Sequence, residues 1–150
     1  MTTQDFNEIL DFAVEREKEA VQFYRDLQTE ADFADQKAFL KEPESMEMGH
    51  IVIIENLRKK MPSEMQIKAV PNLLISEYIS TDIDHLSLSY QNILIKAMKR
   101  EELSMKLYTD MSMKFPDSEL SQLFTKLASE EAGHKYKFEN LYDEWISQGN

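Results

Sequence analysis

Two short motifs in this chain combine a carboxylate and an imidazole at the spacing of one helical turn. Glu47 and His50 form the first Glu-x-x-His, and Glu131 and His134 form the second. Residues three apart on an α-helix lie on one face, so each carboxylate and its imidazole point toward the same place. A carboxylate oxygen and a neutral ring nitrogen are common ligands of iron, manganese and zinc. The two motifs therefore indicate metal binding.

The two motifs belong to a longer internal repeat. Each residue of the second motif lies 84 positions after its counterpart in the first, and the same offset aligns many other identical residues. The matched pairs include Leu10 and Leu94, Ala13 and Ala97, Arg16 and Arg100, Glu17 and Glu101, Tyr24 and Tyr108, Asp26 and Asp110, Ser45 and Ser129, and Glu55-Asn56-Leu57 and Glu139-Asn140-Leu141. Identity at a fixed offset indicates an internal duplication. Each half contains an upstream Glu, a Tyr seven residues later, and one Glu-x-x-His.

Length and composition limit the class of protein. The 150 residues predict a single domain, 1–150, large enough to bury a core. A net charge of −11 argues against nucleic acid or an anionic membrane surface as a partner. The chain contains no cysteine, which excludes disulfides, thiolate metal sites and iron–sulfur centres within it. Neither a secretory signal nor a membrane-spanning apolar run is seen, so a soluble, cytoplasmic protein is expected.

The pattern of apolar residues predicts four long helices. Three glycines and four prolines leave few interruptions, and apolar residues recur at steps of three and four. The four stripes are Phe6, Ile9, Leu10, Ala13, Ala20, Tyr24, Leu27 and Ala31; Phe39, Leu40, Ile54, Leu57 and Met61; Leu86, Tyr90, Ile93, Leu94, Ala97, Tyr108 and Met111; and Leu120, Leu123, Leu127, Phe138, Leu141 and Trp145. Glu17 and Glu101 each fill a gap in an apolar stripe, at matched positions of the first and third helices.

Turn and capping residues predict where the helices begin. The predicted starts are Asp32 or Asp35 for the second helix, Thr81 or Asp82 for the third, and the N-cap Asp117 for the fourth. Pro43 either kinks the second helix or lies in the first turn of its regular part. Residues 62–85 are predicted to form a packed connection. His85 is expected at the surface, and Gly49 and Gly133 are expected where helices approach closely.

Each polar residue on these stripes could have an ordinary structural role, but such roles do not explain all of them together. A single helical Glu is usually solvated, and a lone His on an apolar face is more often hydrogen-bonded core than ligand. Four carboxylates gathered in one core, however, would each cost several kcal/mol in desolvation, on the order of the penalties known for buried charges, and would repel one another. Two divalent ions would supply the four compensating charges. The sequence therefore predicts a dinuclear metal site.

This constellation resembles the ferritin-like carboxylate proteins, in which two helices supply one Glu each and two others supply one Glu-x-x-His each. Within that group the chain resembles the rubrerythrins. The likeness rests on the run Glu17-x-x-Ala20-x-x-x-Tyr24 and on the run Ala128-Ser129-Glu130-Glu131-x-x-His134, and it covers residues 5–147. The resemblance implies an all-α, ferritin-like four-helix bundle. A long crossover would join its second and third helices, and two duplicated helix pairs would build it.

The resemblance also implies a ligand set and a cofactor. Glu17, Glu47 and His50 would serve one metal ion, and Glu101, Glu131 and His134 the other, with Glu47 and Glu131 bridging both. Two non-haem iron ions per chain are the implied cofactor, with manganese or zinc as alternatives. Tyr24 and Tyr108 lie two turns after Glu17 and Glu101. Each phenol is expected to hydrogen-bond a ligand carboxylate, rather than merely fill space.

Family members reduce hydrogen peroxide or oxidise ferrous iron with oxygen. The resemblance therefore implies a di-iron oxidoreductase of peroxidase or ferroxidase type, acting in oxidative-stress defence or iron handling. An iron-binding, iron-buffering or structural protein without significant turnover is the alternative. The expected partners are ferrous iron, peroxide or oxygen, a separate electron donor such as a rubredoxin-like protein, and a second copy in a homodimer. Two departures from the family are the missing rubredoxin domain and Ser104, where rubrerythrins have an extra carboxylate; its duplicate is Ala20.

Overall fold

The computed structural model describes residues 3–60, 89–115 and 118–149. They form four long α-helices and one short 3-10 helix, and no strand occurs among them. The helices are α1 (Thr3–Leu27), α2 (Lys37–Lys60), α3 (Tyr90–Lys114) and α4 (Glu119–Ser147), and the 3-10 helix is Ala31–Gln36. α1 and α2 belong to one compact unit, and α3 and α4 to another. The predicted all-α fold with four long helices is confirmed.

Several predictions concern residues that lie outside the described ranges. The connection predicted over residues 62–85 and the surface position of His85 both lie there. Among the described residues, no helix is both long enough and apolar enough to cross a membrane. The prediction of a single domain stays a prediction.

In the first unit, α1 packs one apolar face against α2. The buried residues of α1 recur at three- and four-residue steps: Phe6, Ile9, Leu10, Ala13, Val14, Val21, Tyr24 and Leu27. Leu40 and Ile54 of α2 are fully buried, as is Phe33 of the 3-10 helix. Burying a side chain of this size favours folding by about 1.5–3 kcal/mol. Six residues of the predicted stripe are buried on this face, namely Phe6, Ile9, Leu10, Ala13, Tyr24 and Leu27. The prediction missed Val14 and Val21, which are also buried, and Ala20 is only half-buried.

The chain between α1 and α2 shifts the start of α2. The α-helix begins at Lys37, two residues after the predicted region near Asp32 or Asp35, and a 3-10 helix occupies that region instead. Pro43 lies inside α2, so the alternative in which regular helix begins at Pro43 is wrong, and the alternative of a kink stays a prediction. A proline in a helix interior removes one backbone hydrogen bond and costs about 3 kcal/mol. The turn of α2 that precedes Glu47 is thus intrinsically weak.

In the second unit, serine side chains mark the helix starts. α3 begins at Tyr90, because the hydroxyl of Ser89 accepts a hydrogen bond from the backbone N–H of Asn92 at 3.3 Å. The predicted start near Thr81 or Asp82 is therefore wrong. The N-cap of α4 is Ser118, whose hydroxyl accepts from the backbone N–H of Ser121 at 3.2 Å. Each cap satisfies a backbone donor that the first helical turn leaves unpaired. The predicted cap, Asp117, lies outside the described residues.

Aromatic contacts join α3 and α4 at both ends. Near the start of α3, the rings of Tyr90 and Trp145 have centroids 4.9 Å apart. Burial, and next the charge of Glu144, raise the pKa of the Tyr90 phenol, so Tyr90 stays neutral in this contact. Toward the other end, Tyr108 stacks on Phe124 with centroids 6.3 Å apart. Such ring pairs add to the burial of apolar area.

The two matched glycines lie on exposed faces of their helices. Gly49 and Gly133 are both exposed, and among the described residues nothing lies within 4 Å of a Cβ built at either one, apart from their own chain neighbours and helix backbone. The prediction of close helix approach at these glycines is therefore wrong within the part of the chain described. Neither glycine has the positive φ that would require it.

We expect Gly49→Ala and Gly133→Ala each to stabilise the protein. Glycine in a helix interior costs roughly 0.5–1 kcal/mol relative to alanine, and an added methyl group meets open space. The free energy of unfolding, measured by urea denaturation at fixed metal content, should rise by about that amount for each variant. A loss of stability in either variant would contradict the expectation that an added methyl group is accommodated there.

Candidate metal centre

The first unit brings a carboxylate of α1 to the Glu-x-x-His of α2. Glu17 fills the gap in the apolar stripe of α1, and Glu47 and His50 project from adjacent turns of α2. All three residues are 1 % exposed. The Nδ1 atom of His50 lies 3.5 Å from Oε2 of Glu17 and 3.8 Å from Oε1 of Glu47. We call these three residues the first ligand group.

The second unit repeats this arrangement at matched positions. Glu101 projects from α3, and Glu131 and His134 project from α4. The exposed fractions are 2 %, 0 % and 2 % in that order. The Nδ1 atom of His134 lies 3.6 Å from Oε2 of Glu101. We call these residues the second ligand group. The duplication seen in the sequence has therefore preserved a three-residue arrangement as well as a motif.

The donor atoms of each group fit a metal ion. Within each group, one potential ligand atom from every residue lies within 4.8 Å of the others. The imidazole–carboxylate distances of 3.5–3.8 Å exceed the usual length of a hydrogen bond. Ligands about 2.1 Å from one ion lie roughly 3–3.6 Å apart at common coordination angles. Small rotations of the side chains would let the carboxylate oxygens and the imidazole nitrogen reach one ion.

Charge also favours a cation in each group. Each contains two carboxylates and one imidazole in a surrounding of buried apolar side chains. Taking an ionised carboxylate out of water costs several kcal/mol, on the order of the penalty known for buried ions, unless a partner compensates it. One divalent ion balances the two carboxylates of a group, while the neutral imidazole donates a lone pair. Oxygen and imidazole donors suit iron, manganese or zinc.

The six predicted ligands are thus all buried, and the structure brings them together in two groups of three. That these residues coordinate metal stays a prediction. Tyr24 and Tyr108 are each 1 % exposed, on α1 and α3 respectively. Tyr24 meets Phe23 edge to face at 5.6 Å, while Tyr108 stacks on Phe124. The predicted hydrogen bonds from their phenols to ligand carboxylates likewise stay predictions.

Sequence reasoning missed a polar cluster beside the first ligand group. Glu44 lies one turn before Glu47, and its Oε1 accepts a hydrogen bond from Nε2 of Gln28 at 2.8 Å. The second carboxylate oxygen of Glu44 lies 3.5 Å from Nε of Arg25. The sequence contained one signal of this cluster, which is that its three residues differ between the two repeats. Arg25, Gln28 and Glu44 are matched by Thr109, Ser112 and Ala128. We call Arg25, Gln28 and Glu44 the polar clamp.

Comparison with known proteins gives one family match. A family model described as Rubrerythrin matches residues 8–142. The matched range includes all six residues of the two ligand groups. Searches of curated proteins and of solved structures found no match.

In metal-free protein, we expect Glu17→Gln to raise the free energy of unfolding by on the order of 1 kcal/mol, because it removes a buried charge at nearly constant volume. With metal bound, the sign should reverse, because a ligand is lost. Urea denaturation with and without a chelator measures both values. Glu15→Gln, on the exposed side of α1, is the control and should change stability by no more than about 0.5 kcal/mol. A clear destabilisation of the metal-free Glu17→Gln protein would contradict this electrostatic argument.

Proposed function

The chain belongs to the rubrerythrin family, within the ferritin-like di-iron superfamily, and we propose that it is a non-haem di-iron oxidoreductase that reduces hydrogen peroxide or dioxygen. The observation that carries the proposal is the pair of matched, buried ligand groups, each with two carboxylates and one imidazole. Burying such a donor set in an apolar interior destabilises the fold unless cations are bound, and these donors are suited to iron. The proposed role is oxidative-stress defence or iron handling.

Each ligand group is proposed to hold one iron ion. Glu17, Glu47 and His50 would hold one ion, and Glu101, Glu131 and His134 the other. Two ferrous ions held by these residues would supply two electrons, enough, with two protons, to reduce one hydrogen peroxide to two water molecules.

The chain's own residues would prepare this chemistry in three ways. The buried helix faces exclude bulk water from the ligand groups, which strengthens electrostatic interactions there. The pairing of one neutral imidazole with two carboxylates balances the charge of a divalent ion. Tyr24 and Tyr108, both buried, are proposed to donate hydrogen bonds that orient the ligand carboxylates.

Electrons for repeated turnover must come from outside these 150 residues. They contain no cysteine and therefore no thiolate-ligated redox centre. A separate donor of the rubredoxin type, or ferrous ions themselves, is proposed to re-reduce the site. We also propose that the protein acts in the cytoplasm as a homodimer.

Ser104 favours a second candidate function, the binding or buffering of iron without turnover. This half-buried residue lies one turn after Glu101, where rubrerythrins have an additional carboxylate. The matched residue in the first unit, Ala20, cannot coordinate metal either. Repeated oxidation of added ferrous iron would favour the enzyme. Stoichiometric binding with a single oxidation would favour the buffer.

We expect the protein to bind two metal ions per chain. Anaerobic titration with ferrous iron should saturate near two equivalents, because the two ligand groups have the same donors. Double replacement of Glu17 and Glu101 by alanine, which removes one carboxylate from each group, should abolish tight binding. Saturation at one equivalent, or binding that is unaffected in the double variant, would contradict the dinuclear proposal.

We further expect Ser104→Glu to shift the reactivity of the diferrous protein toward peroxide. A glutamate there would lie one turn from Glu101 on the same face, within reach of a metal ion at the second ligand group. The measurement is stopped-flow oxidation of diferrous protein by peroxide and by oxygen. Ala20→Glu is the matched variant, and it should act equally if the two ions are functionally equivalent. If the ratio of the peroxide rate to the oxygen rate is unchanged in Ser104→Glu although the new carboxylate binds metal, this expectation is contradicted.

A further inference from the structure

The turn that precedes each Glu-x-x-His differs between the two units. In α2 it contains Pro43 and Glu44, whereas in α4 the matched residues are Leu127 and Ala128. Pro43 removes the backbone hydrogen bond that this turn would donate to the carbonyl of Phe39. The segment that presents Glu47 therefore lacks a helical constraint that its counterpart in α4 retains.

The polar clamp supplies a constraint at this weakened turn. Gln28, just beyond the end of α1, donates through Nε2 to Oε1 of Glu44 at 2.8 Å and to the carbonyl of Tyr24 at 3.1 Å. Arg25 of α1 lies 3.5 Å from the other carboxylate oxygen of Glu44. The Glu44 side chain is only 19 % exposed, so these charge-assisted contacts are partly shielded from water. The clamp therefore ties the turn before Glu47 to the last turn of α1.

The second unit holds its helices together differently. Ser112, the counterpart of Gln28, donates to the carbonyl of Thr109 within its own helix at 2.6 Å. Ala128, the counterpart of Glu44, is buried and has no polar side chain. Tyr108 and Phe124 instead stack across α3 and α4. At these matched positions the second unit thus has an apolar residue in place of Glu44, and a hydroxyl that is hydrogen-bonded within its own helix in place of Gln28.

We propose that Glu44, held by Gln28 and Arg25, is a positioning residue that fixes Glu47 for metal binding by the first ligand group. The inference rests on the proposed metal-binding function. Its consequence is that the two ligand groups, although identical in donors, depend on different supports. Loss of the clamp should weaken the first group while the second keeps its affinity.

The test uses the full chain and Mn²⁺ as the probe. Binding is measured by calorimetric titration and by the electron paramagnetic resonance of the bound ion. Glu44→Ala should weaken one of the two binding steps about tenfold, the lower end of the effects seen for residues that orient metal ligands, and should leave the other step unchanged. Glu44→Gln keeps the oxygen that accepts from Gln28 and should restore most of the affinity. Glu55→Ala removes the same charge from α2 beyond His50 and should leave both steps as in the unaltered chain.

The possible outcomes separate this inference from the proposed function. If the unaltered chain takes up no Mn²⁺ or ferrous iron, the proposed function fails and the inference fails with it. If the chain binds two ions and Glu44→Ala changes neither step, or weakens both equally, the inference alone is overturned. It is also overturned if Glu44→Gln binds as poorly as Glu44→Ala. Should Glu44→Ala not fold, as judged by circular dichroism, Gln28→Ala replaces it, with the same selective loss expected.

Discussion

The cost of burying charge is the constraint on which the structure depends. Four carboxylates and two imidazoles lie within otherwise apolar helix faces, each exposed by 2 % or less. Apolar residues at these positions would give a more stable helix pair, because burial of ionisable groups is rarely repaid by their mutual contacts alone. Their presence makes sense when a cation completes each group. Under the proposed function, the metal-free protein is less stable than it could be, and in exchange the ligand groups are shielded from bulk water.

Helix geometry explains how so few elements build each ligand group. A Glu-x-x-His places two donors on adjacent turns of one helix, and one glutamate from the preceding helix of the same unit adds a third. Each unit is therefore a complete three-donor group made by two helices. Duplication of such a unit doubles the site without new chemistry. It also permits the two copies to diverge around a fixed set of donors, as Pro43 and the polar clamp in one unit and the Tyr108–Phe124 stack in the other illustrate.

Most of the correct predictions came from the spacing of apolar and polar residues within single helices. The gaps at Glu17 and Glu101 and the spacing of the two motifs are local signals, and all six residues are buried as those signals indicate. Contacts between helices are not encoded in the spacing of residues within one helix. Gln28 and Glu44 lie 16 residues apart, so their hydrogen bond could not be read from the spacing of either helix. The predicted start of α3 was wrong because threonine and aspartate are as suitable for helix caps as serine is, so residue type alone does not favour Ser89. The prediction of a close contact at Gly49 was wrong because the ligand-bearing face of a helix does not indicate what lies against the opposite face.

Anomalous diffraction at the iron absorption edge tests the central claim most directly, since it locates the ions without reference to activity. Crystals would be grown anaerobically with ferrous iron. The account predicts two iron peaks per chain, one within about 2.2 Å of donor atoms from Glu17, Glu47 and His50, and one equally close to Glu101, Glu131 and His134. Iron found only at exposed carboxylates, with both ligand groups intact and empty, would contradict it.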